Sequence, residues 1–336
     1  VLQWEDNTDP NQFITNNDLD IYLSNDNGTT LFGFNIENNG GLPIEVLPFT
    51  VAPGGSSTNI LITRASGTDN VNFKYIVFRG NLTINDFNTG SSTIVGQANA
   101  EGAIAVGAVL WSNTPEFGVE IPTIASFSSI GGTAVNGVVR QKPEITAPNG
   151  VETTVNLSPD TPEFDPDGDG IRNFHGTSAA APHAAAVATL LIEARAKYWN
   201  NEILTPDEIK GLLTSTAINM DDPGFDYNTG YGFIQADAAI GSYIAASPVL
   251  IELSNNSGVT AGEDTIIVNI IGDYLTDSTQ ILFRGEALPD SLINFENDTL
   301  IQAVIPPFIG NPAIEAYTTP ISSSGLDGGT SQPVYF

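Results

Sequence analysis

The stretch Phe174-His-Gly-Thr-Ser-Ala-Ala-Ala-Pro-His-Ala-Ala-Ala-Val-Ala-Thr-Leu190 decides how this chain is read. Alanine and leucine favour helix and no glycine follows Gly176 in the run, so the composition predicts a helix over 178–197. Pro182 is expected in its first turn, where the missing N–H costs little. The many alanines predict a helix that is packed closely on all sides and therefore buried.

Ser178 is expected at the N-terminus of this helix, where unpaired backbone N–H groups and the helix dipole favour negative charge. A nucleophilic serine that forms a tetrahedral oxyanion needs such a position, and the backbone N–H of Ser178 would donate to that oxyanion. The alternative is a simple alanine-rich core helix in which Ser178 serves only as an N-cap.

The pattern from Gly176 through Ala185 resembles the nucleophile segment of the subtilisin-like serine peptidases, the subtilases. It departs from that segment at Ala186, where the family usually has glycine. Further family-like segments occur in the expected order, at 101–110, 124–131, 142–150, 215–219 and 224–237. The resemblance covers about 94–242, the second half of a subtilase catalytic domain, and implies parallel strands with intervening helices there.

The resemblance also implies a catalytic Asp, His and Ser in that chain order, with an oxyanion-hole asparagine. Ser178 is the expected nucleophile. The two histidines of the chain, His175 and His183, both lie in the serine segment. His183 matches a structural Pro-His of the family, and His175 is too close in sequence to Ser178 to act as its base.

We therefore expect the triad Asp and His and the oxyanion Asn upstream of Val1. The given sequence begins with neither a Met nor a signal peptide, which agrees with this expectation. Without those groups the chain alone is expected to be nearly inert, because losing a triad serine or histidine costs on the order of 10⁶ in kcat. The first half of the same peptidase is the expected partner.

The composition excludes several classes of partner. The chain has 336 residues, with 39 acidic and 10 basic side chains and a net charge of −29. Such a charge argues against nucleic acid or an anionic membrane and fits a secreted or cell-surface protein that acts on protein or peptide substrates. Cysteine is absent, and no apolar run is long enough to span a membrane.

Two β-rich regions flank the subtilase-like part. Short apolar runs at 18–23, 31–34, 44–49, 59–64 and 73–78 predict an inserted β-sandwich or jelly roll over 1–90, with a hairpin turn at 25–28. Asp18 and Asp20 are expected on a solvated sheet face, with calcium binding as the alternative. Strand patterns over 246–336 resemble the immunoglobulin-like IPT/TIG modules.

The segment Asp165-Pro-Asp-Gly-Asp-Gly170 places three carboxylates at alternate positions. Asp165, Asp167 and Asp169 could form the opening of a calcium loop, although Gly176 occupies the position where an EF-hand has glutamate. The alternative is an acidic, glycine-rich turn. Structural calcium is thus one of two open interpretations, and no cofactor is expected for the chemistry.

These observations predict a multidomain chain. Residues 91–245 form the α/β part, a partial subtilisin-like parallel sheet with helices, flanked by all-β sandwiches at 1–90 and 246–336. The predicted function is a serine endopeptidase that acts through an acyl-enzyme at Ser178. The alternative is a catalytically silent surface or adhesive protein. A secreted esterase fits less well, because Ser178 lacks the Gly-x-Ser-x-Gly pattern.

Overall fold

The computed structural model describes residues 1–6, 14–77, 83–86, 90–135, 137–154, 161–166, 168–254, 262 and 264–336. Two compact units divide the chain. Unit 1 comprises Val1–Glu101 and Ser129–Lys142, and unit 2 comprises Gly102–Ser128 and Pro143–Phe336. The three predicted segments, 1–90, 91–245 and 246–336, stay a prediction.

Strands dominate the described residues, and the helices are few. The helices are α1 (Thr177–Tyr198), α2 (Pro206–Ser215) and α3 (Ala236–Gly241). The strands are β1 (Leu2–Glu5), β2 (Asp18–Ser24), β3 (Thr30–Phe34), β4 (Ile44–Glu45), β5 (Asn59–Ser66), β6 (Asn72–Tyr75), β7 (Val106–Leu110), β8 (Ala134–Val135), β9 (Val138–Val139), β10 (Ile145–Asn149), β11 (Val151–Glu152), β12 (Asn173–Phe174), β13 (Val249–Ser254), β14 (Ile266–Asp273), β15 (Gln280–Phe283), β16 (Glu286–Ala287), β17 (Ile293–Asn297), β18 (Leu300–Ile305), β19 (Ala313–Thr318), β20 (Gly329–Thr330) and β21 (Val334–Tyr335).

Unit 1 is built from two three-stranded antiparallel sheets and the hairpin β8–β9. The sheet orders are β4-β1-β6 and β3-β2-β5. Leu2 and Trp4 of β1 and Leu19 and Ile21 of β2 are buried together with Leu47. The predicted hairpin turn at 25–28 is confirmed, because it joins β2 to β3 and ends on a glycine of positive φ.

The opposite face of β2 differs from the prediction. Asp18 and Asp20 were expected on a solvated face, yet they are only 5% and 3% exposed. Glu45 of β4 is fully buried as well. The alternation along β2 correctly separates apolar from acidic positions, but alternation cannot tell whether other chain segments cover the acidic face.

The parallel pair β7–β10 forms the centre of the α/β part of unit 2. Ala108 of β7 belongs to one buried cluster and Val109 to another, so β7 is buried on both faces as its apolar run predicted. The described residues between β7 and β10 hold a 3₁₀ turn at Pro115–Phe117 and the hairpin β8–β9. The intervening α-helix expected at this connection is therefore not found among them.

Helix α1 confirms the predicted helix to within one residue at each end. Its other two predicted features are wrong. Pro182 lies in the second turn, where its missing N–H leaves the carbonyl of Ser178 without the usual helical bond. Only one side of α1 is buried, because β7, β10, α2 and α3 all pack on that side. The buried residues of α1 are Ala179, Ala180, Ala184 and Leu191.

The C-terminal part of unit 2 contains two antiparallel sheets around one hydrophobic core. Their orders are β13-β14-β18-β17 and β16-β15-β19-β20, with β21 also paired to β19. Both sheets contribute to the core, including Val268, Ile270, Ile301, Ile281 and Ile314. The immunoglobulin-like identity of this region stays a prediction. Among the described residues, no helix is both long and apolar enough to cross a membrane.

Candidate active site

Ser178 is the second residue of α1 and is exposed. Gly176 is the N-cap that precedes the helix, and its φ of 112° lies in a region that favours glycine. The Gly176 carbonyl accepts from the N–H groups of Ala179 at 2.9 Å and Ala180 at 3.3 Å. The N–H of Ser178 has no acceptor one turn back, because Phe174 lies outside the helix. An anion beside Ser178 would therefore meet the positive end of the helix dipole.

Asn149 forms a hydrogen bond to the turn that precedes Ser178. The sequence patterns did not predict a role for this residue. It is the last residue of β10 and only 1% exposed. Its Oδ1 accepts from the N–H of Gly176 at 3.3 Å, and its backbone oxygen accepts from the N–H of Trp111 at 2.9 Å. Its position next to Gly150 in the family-like segment 142–150 was the available signal.

His175 is partly buried in the turn between β12 and α1. Its ring packs edge-on against Phe164, with 5.3 Å between ring centroids. It also lies against Gly150, where an added Cβ would come within 2.9 Å of the imidazole. Its Nε2 is buried without a hydrogen-bond partner. These contacts place the ring against the supporting turn, and none of them is with Ser178.

His183 is tied to its own helix, since its Nδ1 lies 2.8 Å from the carbonyl oxygen of Ala179. It also lines a cleft of about 400 Å³, together with Trp111, Phe117 and Pro148. The two aromatic rings of that cleft meet edge to face at 4.7 Å between centroids. The structural role that the resemblance implies for His183 stays a prediction.

Glu144 anchors the strand pair from which Asn149 extends. The residue is fully buried and directly precedes β10. Its Oε2 accepts from the N–H of Ala105 at 2.7 Å, just before β7, and its Oε1 pairs with Lys210 Nζ of α2 at 3.0 Å. One carboxylate thus connects β7, β10 and α2.

The predicted calcium loop is described only in part, because Asp167 lies outside the described residues. Asp165 Oδ2 accepts from the N–H of Gly170 at 3.2 Å, and Asp169 Oδ1 accepts from the N–H of Ile171 at 2.7 Å. Asp165 Oδ1 is buried and has no hydrogen-bond partner. Both interpretations, a calcium loop and an acidic turn, are compatible with these bonds.

The described residues thus present a serine with helix-terminal N–H groups and no imidazole in contact with it. A serine hydroxyl is a weak nucleophile at neutral pH unless an adjacent base removes its proton. The site can stabilise negative charge at Ser178.

Comparison with known proteins decides the family. Residues 48–232, more than half of the chain, match the subtilase family. The chain belongs to the subtilase family. The match begins within the predicted insertion at 1–90 and ends at the glycine-rich segment 224–232. Membership supports a serine peptidase at the level of the family.

The curated relatives are much longer than the matched region. The chain is 32% identical to Bacillopeptidase F of Bacillus subtilis over 182 residues, which cover 52% of this subtilase and 11% of that protein. It is 39% identical to fervidolysin of Fervidobacterium pennivorans over 67 residues, or 20% and 9% of the two chains. The solved CspB protease of Clostridium perfringens is 18% identical, with a TM-score of 0.42, and the match covers 71% of this chain and 51% of that one.

Proposed function

We propose that this chain is part of a serine endopeptidase that hydrolyses peptide bonds through an acyl-enzyme at Ser178. The observation that supports this most directly is the exposed Ser178 at the second position of α1, within a subtilase-like nucleophile segment. Ser178 Oγ would attack the peptide carbonyl, and the backbone N–H of Ser178 would donate to the oxyanion. Asn149 and Gly176 would hold that N–H in place.

We propose that the general base, its aspartate partner and the oxyanion asparagine come from the first half of the same peptidase. His175 and His183 are the only histidines of the chain, and the contacts of both lie elsewhere. Two large apolar side chains that flank the buried Leu191 of α1 are exposed, Leu190 at 47% and Ile192 at 39%. A further chain segment packed on α1 would cover them.

Labelling by a serine-directed fluorophosphonate tests the proposal. We expect the full-length protein to be labelled at Ser178, and Ser178→Ala to abolish labelling and peptidase activity. Ser215→Ala is a matched control, because Ser215 is an exposed helix serine away from the site. The isolated 336-residue chain should label far more slowly than the full-length protein. Full-length protein that is folded but unlabelled at Ser178 would reject the peptidase.

The competing function is a catalytically silent surface or adhesive protein that uses its β-rich regions. It is supported by the missing base and by the extensive antiparallel sheets of both units. Under this alternative, Ser178→Ala would leave adhesion to a protein-coated surface unchanged, and no condition would give labelling at Ser178.

Two further parts of the proposal concern where the protein acts and which metal ion it binds. We propose that the protein acts outside the cell or at its surface, on protein or peptide substrates, which its net charge of −29 supports. We also propose structural calcium at Asp165, Asp167 and Asp169, supported by the partnerless Asp165 Oδ1. Asp165→Asn should lower the number of calcium ions bound per chain by one in a calorimetric titration.

A further inference from the structure

Unit 1 buries a cluster of acidic and amide oxygens, defined by Asp18, Asp20, Asn38 and Glu45. All four side chains are at most 5% exposed. Buried carboxylates in proteins are normally paired with a cation, bonded to several donors or used to coordinate a metal. No ion pair between this cluster and a lysine or arginine of the described residues is found.

Hydrogen bonds occupy one oxygen of each carboxylate. Tyr22 OH donates to Asp20 Oδ2 at 2.9 Å, and the N–H of Ile36 donates to Glu45 Oε1 at 3.0 Å. The other oxygens, Asp20 Oδ1 and Glu45 Oε2, are buried with no hydrogen-bond partner. Each unbonded oxygen loses its hydration without compensation, which is unfavourable for a buried charged group.

Asn38 connects Asp18 of β2 with the chain at 42–44. Its N–H donates to Asp18 Oδ1 at 3.2 Å, and its Nδ2 donates to the carbonyl oxygens of Leu42 at 2.9 Å and Ile44 at 3.2 Å. Because these bonds fix which end of the amide is nitrogen, Asn38 Oδ1 faces the other way, and it too is buried without a partner. The cluster therefore offers three buried acceptor oxygens to which no described residue donates a hydrogen bond.

Burial and neighbouring negative charge both act on the carboxylates of the cluster. Burial raises the pKa of Asp20, and the neighbouring Asp18 adds to the effect. Burial likewise raises the pKa of Glu45, with further contributions from Asp20 and Asp18. These carboxylates thus repel one another in a site from which water is largely excluded.

We propose that unit 1 binds a calcium ion through Asp20 Oδ1, Glu45 Oε2 and Asn38 Oδ1, with Asp18 supplying further negative charge. Carboxylate and amide oxygens are the ligands that calcium prefers, and its coordination sphere tolerates irregular sets completed by water. No group of three or more carboxylate, imidazole or thiolate side chains in the described part of the chain could hold a metal ion. The proposed set accordingly has two carboxylates and one amide.

Calcium titration of the chelator-treated full chain at pH 7.5 tests the site. We expect calcium to raise the Tm of the wild type, and Glu45→Gln and Asp20→Asn each to weaken binding at least tenfold at one site. In the absence of calcium, Glu45→Gln should unfold at a higher temperature than the wild type, because one repelling charge is gone. Equimolar magnesium should give a smaller shift, since it requires a stricter octahedral geometry.

Asp165→Asn is the matched control, because it removes a carboxylate from the loop at 165–170, the other proposed calcium site. It should leave the heat of calcium binding at the unit 1 cluster unchanged. Calcium should also slow hydrogen exchange at the amides of Ile36 and Asn38, a local readout that needs no substitution. The proposal is overturned if calcium shifts the wild type and Glu45→Gln equally. It is also overturned if wild-type Tm and exchange at these amides do not respond to calcium. Neither result depends on labelling at Ser178, so the site stands or falls separately from the peptidase.

Discussion

Glu144 is the residue on which the α/β part depends most clearly at the level of single side chains. It is fully buried, and it bonds both the chain before β7 and Lys210 of α2. Lys210 itself is partly exposed, so water can hydrate its ammonium group if the pair is broken. The loss on substitution is therefore expected to be that of a charged hydrogen bond rather than that of an isolated buried charge.

Glu144→Gln should lower the free energy of unfolding by about 2 kcal/mol, because a neutral amide replaces the charged partner of Lys210. Urea unfolding measures the change. Glu202→Gln is the control, because Glu202 pairs with Arg195 at 2.7 Å but is 53% exposed. It should cost less than about 1 kcal/mol. Equal losses in the two variants would contradict the anchoring role of Glu144.

Gly232 makes a second residue-level prediction. Its φ is +115°, and an added Cβ would lie 2.0 Å from the carbonyl oxygen of Ile218. Gly232→Ala should therefore cost more than about 3 kcal/mol in unfolding free energy or prevent folding. Gly211→Ala is the control, since Gly211 lies inside α2 with open space around it. It should gain about 0.5–1 kcal/mol, and a gain at both positions would refute the steric argument.

At the scale of elements, the start of α2 is set by contacts between neighbouring residues. Thr205 Oγ1 accepts from the N–H of Glu208 at 3.3 Å, and Glu208 Oε2 accepts from the N–H of Thr205 at 2.8 Å. Together these two bonds form a capping box. All its partners lie within four residues, so the local sequence contains the groups that it needs.

Thr205→Ala should destabilise α2 by about 1 kcal/mol, because the N–H of Glu208 loses its acceptor. The measurement is urea unfolding followed by far-UV circular dichroism. Ser215→Ala in the last turn of the same helix should change stability by less than about 0.5 kcal/mol. A Thr205→Ala effect no larger than that of Ser215→Ala would show that the cap contributes little.

Helix α1 shows where element-level prediction stops. Its composition predicted its length, because alanine-rich sequence favours helix wherever it lies. Burial depends on which other elements pack against it, and among the described ones these lie on a single side. An alanine-rich helix carries little difference between its faces, so the sequence could not say which side would be covered.

At the scale of the whole molecule, Asp327 of unit 2 and the buried acids Asp20 and Glu45 of unit 1 should contribute to stability with opposite pH dependence. In unit 2, burial raises the pKa of Asp327, but bonds from the Ser322 hydroxyl and from the N–H groups of Ala245, Ile321 and Ser322 outweigh it and hold the pKa below 3.8. This stabilisation is present above pH 3.8 and is lost as pH falls through the lowered value. In unit 1, the raised pKa values of Asp20 and Glu45 give stability that is full below their ordinary values and lost as pH rises.

Differential scanning calorimetry in chelator between pH 2 and pH 8 should resolve these opposite trends. Asp327→Asn should flatten the acid loss of the transition assigned to unit 2. Glu45→Gln should flatten the decline of unit 1 above about pH 4.5, since it removes a charge that the folded state disfavours. Hydrogen exchange at Ser322 and Ile36 assigns each transition. A pH profile that neither Asp327→Asn nor Glu45→Gln changes would contradict the prediction.

The sequence by itself determined the features that depend on neighbouring residues. These are the family-like nucleophile segment at Ser178, the extent of α1, the cap of α2 and the hairpin at 25–28. Their stabilising contacts close within a few residues, so the local pattern contains the necessary information.

Only the tertiary structure decided how distant residues meet. The bond from Gly176 to Asn149 joins positions 27 residues apart, and the cluster of Asp18, Asp20, Asn38 and Glu45 gathers residues from separate strands and loops. The tertiary structure also decided that one side of α1 is exposed. Burial is a property of which surfaces pack together, and alternation or composition within one segment does not specify the segment that covers it.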